Sequence, residues 1–194
     1  MTIEQAAIRH ALDTVGADRD TGGVPELPEV TALVTDLRGR LVGRRVQRLE
    51  LVSFAALKTF DPPLSALAGR EITDVTRHGK FLDIVLGGAL SGGGDAELHL
   101  IIHLARAGWL RWRDAPPSAP TRPGRGPLAA RLVLEPDDGT VASLGSGFDL
   151  TEAGTKKSLA IFLVRTPFDV PGVARLGPDP LDEDFTADTL AAIL

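Results

Sequence analysis

The chain of 194 residues contains no cysteine, which excludes a disulfide framework and any metal site built from thiolates. A structural zinc would therefore need ligands from elsewhere. The sequence also has no apolar run of the roughly 18 residues that a membrane helix requires, and its first residues lack the apolar core of a signal peptide. These absences predict a cytoplasmic protein with no membrane partner. A hydrophobic share of 43% is enough for a real core at this length.

An excess of basic charge is also lacking, since the formal net charge is -5. Phosphate contacts supply much of the affinity for nucleic acids, so this balance argues mildly against a nucleic-acid binder. The distribution softens the objection. Residues 25–113 carry 12 Lys and Arg against 10 Asp and Glu, whereas the segments on either side are net acidic. A solvated surface of mixed charge explains this difference nearly as well.

The clearest local signal is Pro25–Val30, of sequence PELPEV, which stands directly in front of an amphipathic pattern. Pro28 suits the first helical position because its missing N–H costs nothing there, and Glu29 faces the positive end of the helix dipole. Apolar residues recur with helical periodicity as far as Leu41, which predicts a helix from about Pro28 to Leu41 with one buried face. On spacing alone, the two prolines are typical of an ordinary helix entry.

Short strands with turn signals between them follow this helix, and together they predict a β-sandwich. A strand pair is expected at Glu71–Arg77 and Lys80–Leu86, meeting at His78 and Gly79, although a two-residue turn there would prefer Asn-Gly or a leading glycine. A bend or bulge at Gly79 is an equal alternative. Gly145–Gly154 is interpreted as a loop. Other strands are expected at 44–53, 97–104, 109–113, 131–135, 140–144 and 158–164.

Both ends of the chain differ from this middle part. Residues 1–24 end in a polar, glycine-rich stretch with nothing to bury, so they are interpreted as a flexible leader. A helix is expected to start within 181–194, where acidic residues crowd its opening and Thr186 is a candidate cap for a second turn or helix.

Four segments, in this order and spacing, resemble the formamidopyrimidine-DNA glycosylase and endonuclease VIII family. They are PELPEV at 25–30, RHGKFL at 77–82, HLARAGWLR at 103–111 and LGPDPL at 176–181. The resemblance runs from Pro25 to Leu194 and implies a mainly β fold with α: a two-layer β-sandwich with one N-terminal helix packed against it. It places the catalytic domain at 25–175 and the beginning of a helix-two-turn-helix module at 176–194. The zinc finger that follows this module in the family would lie beyond it, so no cofactor is expected in this chain.

The resemblance implies a base-excision-repair DNA glycosylase with abasic-site lyase activity, acting as a monomer on damaged double-stranded DNA. Such an enzyme flips the damaged nucleotide out of the duplex to reach its sugar. Pro25 matches the family's N-terminal proline, whose secondary amine forms a Schiff base with C1′. Glu26 matches the acid that protonates the sugar ring oxygen, and Lys80 matches the lysine that grips a phosphate beside the lesion.

Three more residues are expected to contact DNA. Arg106 stands where the family commonly has a methionine that fills the hole left by the flipped base, and arginine can also stack and neutralise phosphate. Lys156 and Lys157 lie in the segment Thr151–Lys157, which replaces the family's Asp-Pro-Arg-Arg-Phe-Gly wedge. His103, on a leucine-rich strand, is assigned no proton-transfer role. Read without the resemblance, each of these cations is an ordinary surface side chain.

Two other hypotheses stay open: a non-catalytic DNA-binding homologue, and a plain β-sandwich interaction domain. The first is favoured by the position of Pro25 inside the chain. As written, its nitrogen is a tertiary amide bonded to Val24 and cannot attack C1′. We therefore expect the working polypeptide to start at Val24, read as an initiator methionine from a GTG codon and then removed. Residues 1–24 would be untranslated or cleaved off.

Overall fold

A computed structural model describes residues 27–89, 96–117, 126–136, 145–153, 155–182 and 184–193. Within these ranges, eight strands form two four-stranded antiparallel sheets. The first sheet has the order β1 (Val46–Leu51), β6 (Leu128–Leu134), β7 (Gly147–Glu152) and β5 (Gly108–Arg113). The second has the order β2 (Arg70–His78), β3 (Phe81–Ala89), β4 (Leu98–His103) and β8 (Ala160–Val164). The main core lies between the sheets. The predicted β-sandwich is confirmed.

Helix α1 spans Leu27–Leu41, within one residue of the predicted start. Its buried residues are Val30, Val34, Leu37 and Leu41, which recur every three or four positions and pack the helix against the sandwich. An ion pair from Arg38 to Asp74 of β2, at 2.8 Å, fixes the C-terminal end of the helix to the second sheet. The C-terminal half of α1 therefore lies beside β2.

Strand alternation gives the second sheet a second buried face. Leu82, Ile84 and Leu86 of β3 point into the main core, so Phe81, Asp83 and Val85 point to the outer side. A segment made of a 3₁₀ turn (Pro167–Asp169) and the short helix α2 (Pro171–Ala174) covers this outer side. Val170 and Val173 of that segment form a small cluster with outward residues of the sheet: Phe81, Ile101, Phe162 and Val164.

The expected loop at Gly145–Gly154 is wrong, because most of it forms β7, a central strand of the first sheet. The polar residues of this segment made it resemble a loop in the sequence. Asp149 and Glu152 are each 2% exposed, and both are buried because partners elsewhere in the fold satisfy them. Asp149 accepts hydrogen bonds from Arg131 and Arg113, and Glu152 accepts from the backbone amides of a following loop. The strand expected at 140–144 lies outside the described residues, as does the leader at 1–24.

The hairpin between β2 and β3 was predicted one residue out of place. His78 pairs with Phe81, so the two turn residues are Gly79 and Lys80. Gly79 has a φ of +53°, and Lys80 is not in the positive-φ region, which is the order of a type II′ turn with glycine first.

The last helix, α3, spans Ala187–Ile193 and begins later than expected. Thr186 caps it, since its Oγ1 accepts a hydrogen bond from the backbone amide of Thr189 at 3.2 Å. Within the described ranges, no helix combines the length and apolar character needed to cross a membrane.

Candidate nucleic-acid interface

An open cleft of about 430 Å³ lies where three elements meet. These are the first residue of α1, the tip of the β2–β3 hairpin, and the chain that runs from α2 toward α3. Its lining residues include Leu27, Arg77, His78, Gly79, Leu176 and Asp179. The cleft therefore brings together parts of three of the four motifs that carry the family resemblance.

Lys80 is the second residue of the hairpin turn and follows Gly79, which lines this cleft. The lysine is half-buried. A Cβ atom added at Gly79 would stand 3.2 Å from Leu176, so the tip packs closely on the C-terminal segment. Lys80 also lies close enough to His103 to act on it electrostatically. Burial, and then the charge of Lys80, lower the pKa of that histidine.

A bidentate ion pair closes one side of the cleft. Arg77 Nη1 donates to Asp179 Oδ2 at 2.5 Å, and Nη2 donates to Oδ1 at 3.2 Å. Asp179 Oδ1 also accepts from the backbone amide of Leu181 at 2.9 Å. The hydrogen bond from Arg77 lowers the pKa of Asp179, so the pair stays ionised. This contact ties segment 176–182 to the hairpin.

Arg106 and the two C-terminal lysines lie at the same end of the second sheet as Lys80. Phe81, which follows Lys80, pairs with His103 at the end of β4, and His103 pairs with Ala160 at the start of β8. Arg106 is exposed in the turn that follows His103. The strand pairing therefore brings together Lys80, Arg106 and the loop that leads into β8.

The loop with Lys156 and Lys157 is fastened beside the turn of Arg106. The backbone amide of Ala153 donates to the carbonyl of Ala107 at 3.0 Å. The buried carboxylate of Glu152 accepts from the amides of Ser158 and Leu159 at 2.6 and 2.8 Å. Lys157 Nζ donates back to the carbonyl of Glu152, whereas Lys156 is exposed. The loop is thus anchored at both ends.

Pro25 and Glu26 lie outside the described residues, so their placement stays a prediction. Helix α1 begins at the next residue, Leu27, which lines the cleft. The assignment of Pro25, Glu26, Lys80, Arg106, Lys156 and Lys157 to catalysis or DNA contact likewise stays a prediction.

A buried polar network behind the hairpin tip was missed from the sequence. Asp83 is 1% exposed and contacts two histidines, His78 Nε2 at 2.9 Å and His99 Nδ1 at 3.0 Å. The available signal was a single aspartate in an apolar strand opposite a strand with His99 on its polar face. His103, by contrast, stacks on Phe81 with ring centroids 4.7 Å apart.

No three His, Asp or Glu side chains in the described part of the chain are arranged to hold a metal ion.

Residues 24–145 match the family model of the formamidopyrimidine-DNA glycosylase N-terminal domain. Because this match spans more than half of the sequence, the chain belongs to the formamidopyrimidine-DNA glycosylase family. The resemblance drawn from the four motifs is confirmed. The hypothesis of an unrelated β-sandwich interaction domain depended on dismissing those motifs, and it is no longer needed.

Curated relatives extend the match beyond the family model. The formamidopyrimidine-DNA glycosylase of Moorella thermoacetica is 33% identical over 175 residues, which cover 88% of this chain and 56% of that protein. The corresponding protein of Solibacter usitatus is 35% identical over 170 residues, covering 85% of this chain and 53% of that protein. The chain therefore spans about half the length of these relatives.

Solved structures show the same fold. The MutM (Fpg) protein of Thermus thermophilus aligns with a TM-score of 0.57 at 28% identity, over 82% of this chain and 48% of that one. Lactococcus lactis Fpg, solved with DNA that contains FAPY-dG, aligns with a TM-score of 0.61 at 24% identity, over 83% of this chain and 53% of that one. At 24% identity, the similarity to Lactococcus lactis Fpg shows a shared fold alone.

Proposed function

We propose that this chain is the catalytic domain of a base-excision-repair DNA glycosylase that also cleaves abasic sites in damaged double-stranded DNA. Membership of the family supports the glycosylase activity. The observation that carries the proposal is the cleft at the start of α1. It is lined by Leu27, which directly follows Pro25 and Glu26 in the chain, and by Gly79, which directly precedes Lys80. Arg106, Lys156 and Lys157 lie at the same end of the sheet and supply further cations for a DNA backbone.

The proposed reaction begins when the secondary amine of Pro25 attacks C1′ of a flipped nucleotide and the damaged base leaves with the electrons of the glycosidic bond. Glu26 then protonates the ring oxygen as the C1′–O bond breaks, which leaves an iminium between Pro25 and C1′. Loss of a proton from C2′ expels the 3′ phosphate and cuts the strand. Lys80 holds a phosphate next to the lesion during these steps.

This chemistry requires Pro25 to be a chain terminus. The amide that joins it to Val24 delocalises the nitrogen lone pair, and no rearrangement of the fold restores a nucleophile there. We propose that the active polypeptide begins at Pro25. The positive end of α1 would then disfavour the ammonium form of the amine and keep more of it free near neutral pH.

The charge and length of the chain predict weak DNA binding. The net charge is -5, and the curated relatives have nearly twice the matched length. Fewer phosphate contacts reduce both the affinity and its salt dependence. A submicromolar dissociation constant for abasic-site duplex at physiological salt would contradict this expectation.

Borohydride trapping on abasic-site duplex tests the function, since reduction converts the iminium into a stable protein–DNA adduct. Three proteins are compared at concentrations that saturate the DNA: a chain starting at Pro25, the chain starting at Met1, and the Pro25 chain with Glu26→Gln. We expect an adduct with the first protein alone or in large excess. Equal trapping by the first two would exclude the terminal amine as the nucleophile.

A matched pair of substitutions tests the phosphate contact. Lys80→Ala should reduce binding and strand cleavage more than Arg111→Ala does, because Lys80 directly follows Gly79 of the cleft lining, whereas Arg111 is an exposed cation within β5 of the other sheet. Equal effects would show that Lys80 is an ordinary surface lysine with no specific phosphate contact.

A non-catalytic DNA-binding homologue is the second candidate function. The internal position of Pro25 favours it, because a tertiary amide is not a nucleophile. It predicts salt-dependent binding to abasic duplex with no adduct from either chain.

A further inference from the structure

Asp83 lies on the outer face of the second sheet and is 1% exposed. A buried carboxylate is costly unless hydrogen bonds satisfy it, and here two histidines do so. Both histidines contact the same oxygen, Oδ2 of Asp83. His78 Nε2 lies 2.9 Å from it, and His99 Nδ1 lies 3.0 Å from it. The other nitrogen of His99, Nε2, is 3.3 Å from Oε1 of Glu97. These contacts form one chain from an exposed glutamate to the histidine in the cleft wall.

The chemistry of these groups fixes their proton positions. An ionised carboxylate only accepts, so His78 Nε2 and His99 Nδ1 both donate to Asp83. Burial favours the neutral carboxyl, but the hydrogen bonds and charges of the two histidines outweigh it and lower the pKa of Asp83. Burial likewise opposes the charged form of His99, but Asp83 and then Glu97 raise its pKa above the usual value. The raised pKa favours the charged form of His99 beside Asp83, behind His78.

The network ends immediately before the hairpin tip. His78 is the last residue of β2, and Gly79 and Lys80 follow it as the turn. Asp83 lies two residues into β3, so its bond to His78 joins the two strands with a side-chain contact just behind the turn. The histidine ring is 29% exposed, lines the cleft, and is held by its buried partner.

We propose that Asp83 and His99 are positioning residues that hold His78 in place and thereby fix the Gly79–Lys80 tip at the cleft. The inference rests on the proposed function in one respect: the tip matters for DNA because Lys80 contacts a phosphate. Asp83 acts through His78 and touches no substrate.

Backbone ¹⁵N relaxation of the full chain without DNA tests the positioning directly. Order parameters at Gly79 and Lys80 should stay near the rigid value of about 0.85 in the parent protein and fall toward about 0.6 in Asp83→Asn. The matched control is Asp149→Asn. Asp149 is likewise buried, at 2% exposed, and likewise accepts side-chain hydrogen bonds, one of them from Arg131. It lies in the other sheet. This control should leave the tip unchanged.

His78→Ala provides the same test if Asp83→Asn does not fold, because it removes the contact behind the tip and leaves the contact between Asp83 and His99 intact. The ring ¹⁵N shifts of His78 give an independent signature. The network requires the proton on Nε2 in the parent protein, and a proton fixed on Nδ1 instead would overturn it.

A double-mutant cycle tests whether the network acts through Lys80. The effect of Lys80→Ala on the affinity for abasic duplex is measured at low salt in three backgrounds: the parent protein, Asp83→Asn and Asp149→Asn. If Asp83 acts by placing Lys80, Lys80→Ala should change affinity less than about twofold in Asp83→Asn, yet retain its full effect in Asp149→Asn. A network that contributes stability alone would give additive effects in both backgrounds.

The outcomes separate the two proposals. An ordered tip in both Asp83→Asn and His78→Ala overturns the positioning role. Additive effects in the cycle also overturn it when Lys80→Ala weakens binding in the parent protein. A loosened tip together with no effect of Lys80→Ala on binding supports the positioning role and contradicts the phosphate contact assigned to Lys80 under the proposed function.

Discussion

Replacing Arg77 with alanine is expected to release segment 176–182 from the hairpin while the sandwich stays folded. The substitution removes two hydrogen bonds to Asp179, at 2.5 and 3.2 Å, between side chains that are 13% and 20% exposed. Bonds to charged groups contribute about 1.5–3 kcal/mol when shielded, and the remaining exposure places this pair toward about 1–2 kcal/mol. The amide of Leu181 still satisfies Asp179 at 2.9 Å, which limits the cost.

Amide hydrogen exchange measures this loss because the segment can open locally without global unfolding. The amides of Leu181 and Asp182 bond to the side chain and carbonyl of Asp179, so their exchange reports on the clamp. A loss of about 1–2 kcal/mol makes them exchange about 5- to 30-fold faster.

The control removes a pair of the same geometry from a solvated site. Arg165 donates to Asp61 at 3.0 and 3.2 Å, but these side chains are 57% and 78% exposed. Arg165→Ala should leave exchange in segment 176–182 unchanged, since exposed pairs contribute little. Equal exchange rates in Arg77→Ala and in the parent protein would show that the clamp does not hold the segment, and the reasoning would fail.

Three further predictions concern buried groups. Asp149→Ala should lower the free energy of unfolding by about 3–5 kcal/mol in urea titrations, because it leaves the guanidinium of Arg131, which is 7% exposed, without bonds at 2.6 and 3.1 Å. A loss below about 1 kcal/mol would contradict this. Gly172→Ala should cost about 1–3 kcal/mol, because its Cβ would stand 2.4 Å from Phe81 Cζ. An unchanged midpoint would mean that the ring moves aside freely. His99→Gln should destabilise most below the unfolded pKa of about 6.5, where the raised folded pKa contributes fully, and its effect should vanish as pH rises through that folded pKa. A destabilisation that grows as pH rises would contradict this prediction.

Local patterns were sufficient for α1 because its periodicity and its proline start are properties of neighbouring residues. They were also sufficient for the hairpin, although its turn was placed one residue early. The register that pairs His78 with Phe81 depends on contacts across the sheet. The preference of two-residue turns for Asn-Gly or a leading glycine left a bend or bulge at Gly79 open, and the structure places Gly79 first in the turn.

Strand β7 shows where local reasoning ends. Its polar residues Asp149 and Glu152 are typical of a loop until their partners are known. Those partners are Arg131, 18 positions earlier in the chain, and the amides of Ser158 and Leu159. The Asp83 network was missed for the same reason, because only the fold brings its two histidines to one carboxylate. The motifs indicated Lys80 and Arg106, but the strand pairing is needed to place them at one end of the sheet.

Mass-spectrometric mapping of the borohydride-reduced adduct tests the central claim most directly. A chain that starts at Pro25 is trapped on abasic duplex and digested, and the peptide that carries the sugar remnant is sequenced. We expect the sugar remnant on the nitrogen of Pro25. A remnant on Lys80, Lys156 or Lys157, or no adduct at DNA saturation, would contradict it.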